Sequence, residues 1–182
     1  MLILASKSPR RKELLQSIVS SFKVIPAEID ERLLDASLKA KDLAIEESKL
    51  KAYTLFSKYP NDEILSCDTI VVLDGHVLEK PSDEIDAINM LSFESGKKQI
   101  VLSAYTFISK EKEISRTVST EVYFNKLSKK QIEEYVRHFH PLDKAGAYGI
   151  QDDYPLIEKI VGSYSNVMGL PIEDLKKRVF KR

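Results

Sequence analysis

The stretch Ile64-Leu65-Ser66-Cys67-Asp68-Thr69-Ile70-Val71-Val72-Leu73-Asp74-Gly75-His76-Val77-Leu78 decides the class of fold. The run from Ile64 to Leu73 is β-type, Asp74-Gly75 is a hairpin turn signal, and Val77-Leu78 returns as a second strand. Helical patterns flank it. Upstream, Leu38, Leu43, Ala44, Leu50, Ala52, Leu55 and Phe56 recur at helical spacing and predict a helix over 37–59, stopped by Pro60-Asn61-Asp62. Downstream, Pro81-Ser82-Asp83 opens a helix over 84–93 that closes near Gly96. Two β-rich segments follow at 99–109 and 115–124, then a helix capped by Ser128 and running through His138. Strands at 22–25 and 154–161 and a closing helix from Pro171 complete the pattern. Helices interspersed with strands, together with hairpin signals, predict an α/β fold with a mixed sheet.

An aspartate at the centre of the apolar run is the sharpest anomaly. An unpaired buried carboxylate costs several kcal/mol or takes up a proton. Asp68 is therefore paired, metal-bound or exposed where its strand meets a cleft; a structural hydrogen-bonded aspartate is the plain alternative. The hairpin brings Glu79-Lys80-Pro81 back toward it, so Lys80 balances the acid or grips a phosphate, unless the two charges are simply a surface pair.

A second anomaly lies at the start of the chain. Leu2 to Ala5, then Ser6-Lys7-Ser8-Pro9-Arg10-Arg11, then Leu14, Leu15, Ile18 and Val19 read as strand, loop and helix. Ser8 is the expected N-cap and Pro9 the first helical residue. Arg10 and Arg11 fall in the first turn, where the helix dipole disfavours cations, and Arg11 stands where a capping box puts Glu or Gln. Free N–H groups, hydroxyls and guanidinium forks make this a phosphate site, although a capped helix with two solvated arginines gives the same pattern. Glu28, Asp30 and Glu31 follow Pro26 as solvated acids, or as groups that ligate Mg²⁺ and orient a water. In Asp143-Lys144-Ala145-Gly146-Ala147-Tyr148-Gly149-Ile150-Gln151, small residues permit close approach of a ligand, and Gln151 reads a base edge or holds water; a tight turn is the alternative.

Composition bounds the rest. The 182 residues form one domain-sized unit, 43% hydrophobic and 31% charged, as expected of a soluble globular chain. The formal net charge is zero, so nothing global steers the protein toward nucleic acid or a membrane surface. No apolar run reaches membrane-spanning length, and the first residues do not read as a signal peptide. The single cysteine, Cys67, excludes an internal disulfide framework and a cysteine zinc site, and cytoplasm is the expected compartment.

Taken together the segments closely resemble the Maf family of nucleoside triphosphate pyrophosphatases. The matching stretches run in family order: residues 4–15, Ile29-Asp30-Glu31, residues 67–71, Leu78-Glu79-Lys80-Pro81, residues 141–151 and residues 162–171. The resemblance implies a single domain over 1–182 with an elongated, inosine-triphosphatase-like α/β fold. Its mixed β-sheet would be flanked by helices, with the site in a central cleft between two lobes. It implies hydrolysis of a nucleoside triphosphate to the monophosphate and pyrophosphate with a divalent metal, Mg²⁺ or Mn²⁺, and it allows a homodimer. The Ala-Gly-Ala-Tyr-Gly-Ile-Gln form at 145–151 looks like the branch acting on dTTP and UTP rather than on 7-methyl-GTP.

By this carry-over Asp68 matches the general base, and Arg10, Thr69 and Gln151 match specificity positions. Ser6, Arg11, Glu31, Lys49 and Lys80 match other active-site positions. Arg10, Arg11, Lys49 and Lys80 would then meet the phosphates with Ser6 beside them, while Glu31 and Asp68 hold the metal and activate water. Two departures stand out: residues 97–104 lack the usual His and Thr-Gly, and Asp152-Asp153 follow Gln151 where the family has a glycine. A nucleotide-binding regulator without turnover, or an enzyme clearing methylated nucleotides, would use the same basic loop.

Overall fold

The computed structural model of the chain describes residues 1–30, 34–35 and 37–181. Seven strands form one mixed sheet in the order β2-β1-β3-β5-β6-β7, with β4 paired to β3. Three strands are long: β3 (Glu63–Leu73), β5 (Lys98–Ile108) and β6 (Glu113–Phe124). At about 3.3 Å per residue each of these reaches some 35 Å. They carry the whole molecule. The shorter strands are β1 (Leu2–Leu4), β2 (Lys23–Val24), β4 (His76–Leu78) and β7 (Ile157–Val161).

The pairing of β3 creates the cleft. Along one edge it pairs antiparallel with β5 without a break, from Ile64↔Ile108 to Val72↔Ile100. Along the other it pairs parallel with β1 at Glu63 to Leu65, and antiparallel with β4 at Val71 to Leu73. Between them Ser66 to Ile70 has no strand partner on that edge among the described residues. The Ala5 N–H still bonds Leu65 O at 2.8 Å, and from Ser6 the chain turns away.

Alternation along the strands then sorts side chains to two faces. On one, Leu65 and Cys67 join a core with Leu15, Leu170 and Leu175, while Val71 and Leu73 join another with Leu91, Ile132, Tyr135 and Tyr148. Thr69 falls between the two cores, beside Ser103 of β5. On the opposite face Ile70 and Ala104 pack against Ala44 of the helix α2 (Ala40–Phe56), and Asp68 points to this side.

The other helices are α1 (Pro9–Gln16), α3 (Glu84–Glu94), α4 (Lys129–Phe139), α5 (Tyr164–Val167) and α6 (Ile172–Leu175). The expected strand at 154–161 begins only at Ile157, because Tyr154 N–H turns back onto Asp152 O at 2.8 Å. The helix expected over 37–59 is shorter at both ends, and α5 is a single turn capped by Ser163 that periodicity over one turn does not reveal.

Candidate active site

The open edge of β3 borders a cleft of about 430 Å³. One wall is the turn from β1 into α1. Ser8 caps α1, its Oγ accepting from Arg11 N–H at 3.4 Å, and Pro9 supplies the fixed φ of the first helical residue. The turn presents Ser6, Lys7, Ser8, Arg10 and Arg11 to the cleft, facing Lys80 and Lys144. The remaining wall is mainly apolar: Val71, Val101, Tyr148, Ile150, Val167 and Met168, with Gln151 at its margin.

Arg11 is held in place on three sides. Its Nε donates to Gly169 O at 2.8 Å, one terminal nitrogen donates to Thr69 Oγ1 at 2.9 Å, and the other to Ser6 Oγ at 3.4 Å. The guanidinium lies over Gly169, where a Cβ would stand 3.3 Å from Nε and φ is +109°, so glycine is what the approach requires. Behind Thr69 the bonds continue in one direction. Ser103 spends its proton on Asn166 O at 2.9 Å, so it accepts from Thr69 at 2.9 Å, and Thr69 accepts from Arg11. Thr69 therefore orients the arginine through its hydroxyl.

Arg10 takes another course. It pairs with Asp143 at 3.2 Å, across from α1 to the segment after α4, and Asp143 also receives Lys144 at 2.9 Å. Burial disfavours the Asp143 charge, but the bond from Lys144 and the nearby cations outweigh it and hold the carboxyl below its ordinary value.

Asp68 stands one residue from Thr69 but on the other face of β3, beneath α2. Lys51 reaches it in an ion pair, and 14% of the Asp68 side chain stays accessible where the strand edge is open. Burial raises its pKa, yet a side-chain hydrogen bond with Glu47 and the charges of Lys51 and Arg11 prevail and hold the carboxyl below the usual carboxylate range. Lys49, expected at the phosphates, instead pairs with Glu46 at 2.9 Å on the outer side of α2. Lys51 instead reaches Asp68, because Ala44, Ser48, Ala52 and Leu55 face the sheet, and Lys51 lies beside that stripe while Lys49 does not. Ser6, Arg10, Arg11, Thr69, Lys80 and Gln151 line the cleft, and Asp68 lies behind it on the other face of the strand. Glu31 lies outside the described residues.

The sheet order and the forked third strand define an α/β protein of the inosine-triphosphatase-like fold. The solved structure of the Staphylococcus aureus Ham1 protein shares it with a TM-score of 0.50 and 9% identity, over 68% of this chain and 71% of that one. The sequence is more particular: the family model described as Maf-like protein matches residues 1–181, and the chain belongs to that family. A dTTP/UTP pyrophosphatase of Thermococcus gammatolerans is 42% identical over 178 residues, 97% of this chain and 94% of that protein. One from Pyrococcus abyssi is 44% identical over 174 residues, 95% and 91% of the two. A third, from Clostridium perfringens, is 42% identical over 180 residues, 96% and 93%.

Proposed function

We propose that the cleft binds dTTP or UTP and hydrolyses it to the monophosphate and pyrophosphate. The enzyme is a nucleoside triphosphate diphosphatase. The observation that carries this reading is Arg11, fixed by Ser6, Thr69 and Gly169 at a helix start that also presents Arg10 and the Ser8 hydroxyl to a cleft shared with Lys80. Fixed cations aimed at a polyanion need no reorganisation when negative charge shifts onto the leaving group. The base then lies along the apolar wall, with Gln151 at its edge.

Water attacks the α-phosphorus, its proton passes to a carboxylate, and the P–O bond to pyrophosphate breaks. Asp68 fits the proton acceptor because its neighbours favour the ionised carboxylate. The same corner suits a divalent cation. Among the described residues no three metal-type side chains cluster, but Mg²⁺ needs only one or two carboxylates besides substrate phosphates. Asp68 and Glu47 share a proton in a hydrogen bond; a cation that displaced this proton would find hard oxygen donors on both, and the family resemblance adds Glu31. Mg²⁺ or Mn²⁺ bound there would neutralise charge on the triphosphate.

Among the described residues no helix is long and apolar enough to cross a membrane. We read the enzyme as cytoplasmic and acting on free nucleotides rather than nucleic acid; the homodimer rests on the family alone, and sedimentation tests it. The decisive assay is pyrophosphate release from pyrimidine, purine and methylated triphosphates with Mg²⁺ or Mn²⁺. UTP and dTTP should lead, and Asp68→Asn should abolish most turnover. Binding without release would refute the enzyme, and an Asp68→Asn variant within a few-fold of wild type would remove Asp68 as base.

A further inference from the structure

Gln151 is the third residue of a turn closed by the Asp152 N–H on Gly149 O at 3.1 Å. A hydroxyl from α4 ties that turn down at both ends. Tyr135 Oη accepts the Gly149 N–H at 2.9 Å and donates to Asp152 Oδ2 at 2.5 Å. The Asp152 carboxylate folds back over the turn, so that a Cβ on Gly149 would stand 2.7 Å from Oδ2. Tyr135 itself cannot swing: it is fully buried, stacked on Phe139 at 4.9 Å and set against Tyr154 at 5.5 Å.

We propose that Asp152 is a positioning residue for nucleotide specificity, fixing through Tyr135 and Gly149 where the Gln151 carboxamide meets the base. The idea rests on the reading of Gln151 as the base contact. A carboxamide carries an acceptor beside a donor, the complement of the N3–H and flanking carbonyl of a uracil or thymine ring. Its discrimination against cytosine, which reverses that pattern, depends on the amide being held in one place. Burial and then the bond to Asp152 push the Tyr135 phenol far above its usual range, so it remains a donor throughout the working pH.

The test uses the full chain and pyrophosphate release from UTP and CTP. Asp152→Ala frees the turn. It should raise KM for UTP about tenfold and lower the UTP-to-CTP ratio of kcat/KM by about as much, with kcat changed less than about threefold. Asp152→Asn keeps an oxygen for the Tyr135 proton and should retain the wild-type ratio; Tyr135→Phe should behave as Asp152→Ala. A UTP-to-CTP ratio unchanged in Asp152→Ala, including an equal loss on both nucleotides, overturns the proposal. Gln151→Ala separates the two layers. If it shifts the ratio and Asp152→Ala does not, the tether alone fails; if it leaves the ratio unchanged, the reading of Gln151 fails.

Discussion

Lys49 and Lys51 are two residues apart, yet only Lys51 meets Asp68. Lys51→Met removes a charge-assisted bond to Asp68 and should lower kcat/KM about tenfold or more, whereas Lys49→Ala should stay near wild type. The pH profile gives a second readout. Removing the cation disfavours the ionised Asp68, raises its pKa, and should move the acid limb of kcat/KM toward neutral pH. Ser103→Ala ends the bond relay behind Arg11 at Thr69 and should cost about 1 kcal/mol, seen as weaker triphosphate binding as well as a lower Tm. At this scale much was legible. The misplaced arginines and the buried aspartate announced themselves by breaking local rules. Lys51 was passed over for Lys49, because a sequence motif points to a lysine without saying which face it shares with Ala44, Ser48 and Ala52. Asp152 showed in the sequence only as a departure from the family's glycine; its partner Tyr135 is distant in sequence and meets it only in the folded chain.

Among the elements, α4 shows what local chemistry alone can set. Ser128 Oγ accepts from Gln131 N–H at 3.2 Å while Gln131 Oε1 accepts from Ser128 N–H at 2.9 Å, a closed capping box. Ser128→Ala should cost about 1 kcal/mol, a fall in Tm of about 2–4 °C in a thermal melt. Such caps, turns and periodicities placed the helices and the long strands from sequence. The fork in β3 was beyond them, because it depends on which strands arrive along its open edge. One trace of it does lie in the sequence. On the face running from Leu65 to Leu73, Thr69 interrupts the apolar series between Cys67 and Val71, and Ser103 interrupts β5 between Val101 and Tyr105. The two cores part at that polar row.

For the whole molecule, Glu94 sets a pH dependence. It is fully buried on α3, neither carboxylate oxygen has a hydrogen-bond partner among the described residues, and burial raises its pKa well above 4.5. Its folded value exceeds its unfolded one, so its contribution is full below pH 4.5 and is lost as pH rises toward the folded value, at about 1.4 kcal/mol per pH unit. Glu94→Met should therefore raise Tm more at pH 8 than at pH 4, measured by paired thermal melts. The three long strands have a mechanical consequence as well. Because β3, β5 and β6 cross beneath the cleft without interruption, the sheet offers no hinge about which its two sides could clamp on a nucleotide. In hydrogen exchange the β3 and β5 amides on both sides of Thr69 should open together, as one cooperative unit, with or without nucleotide.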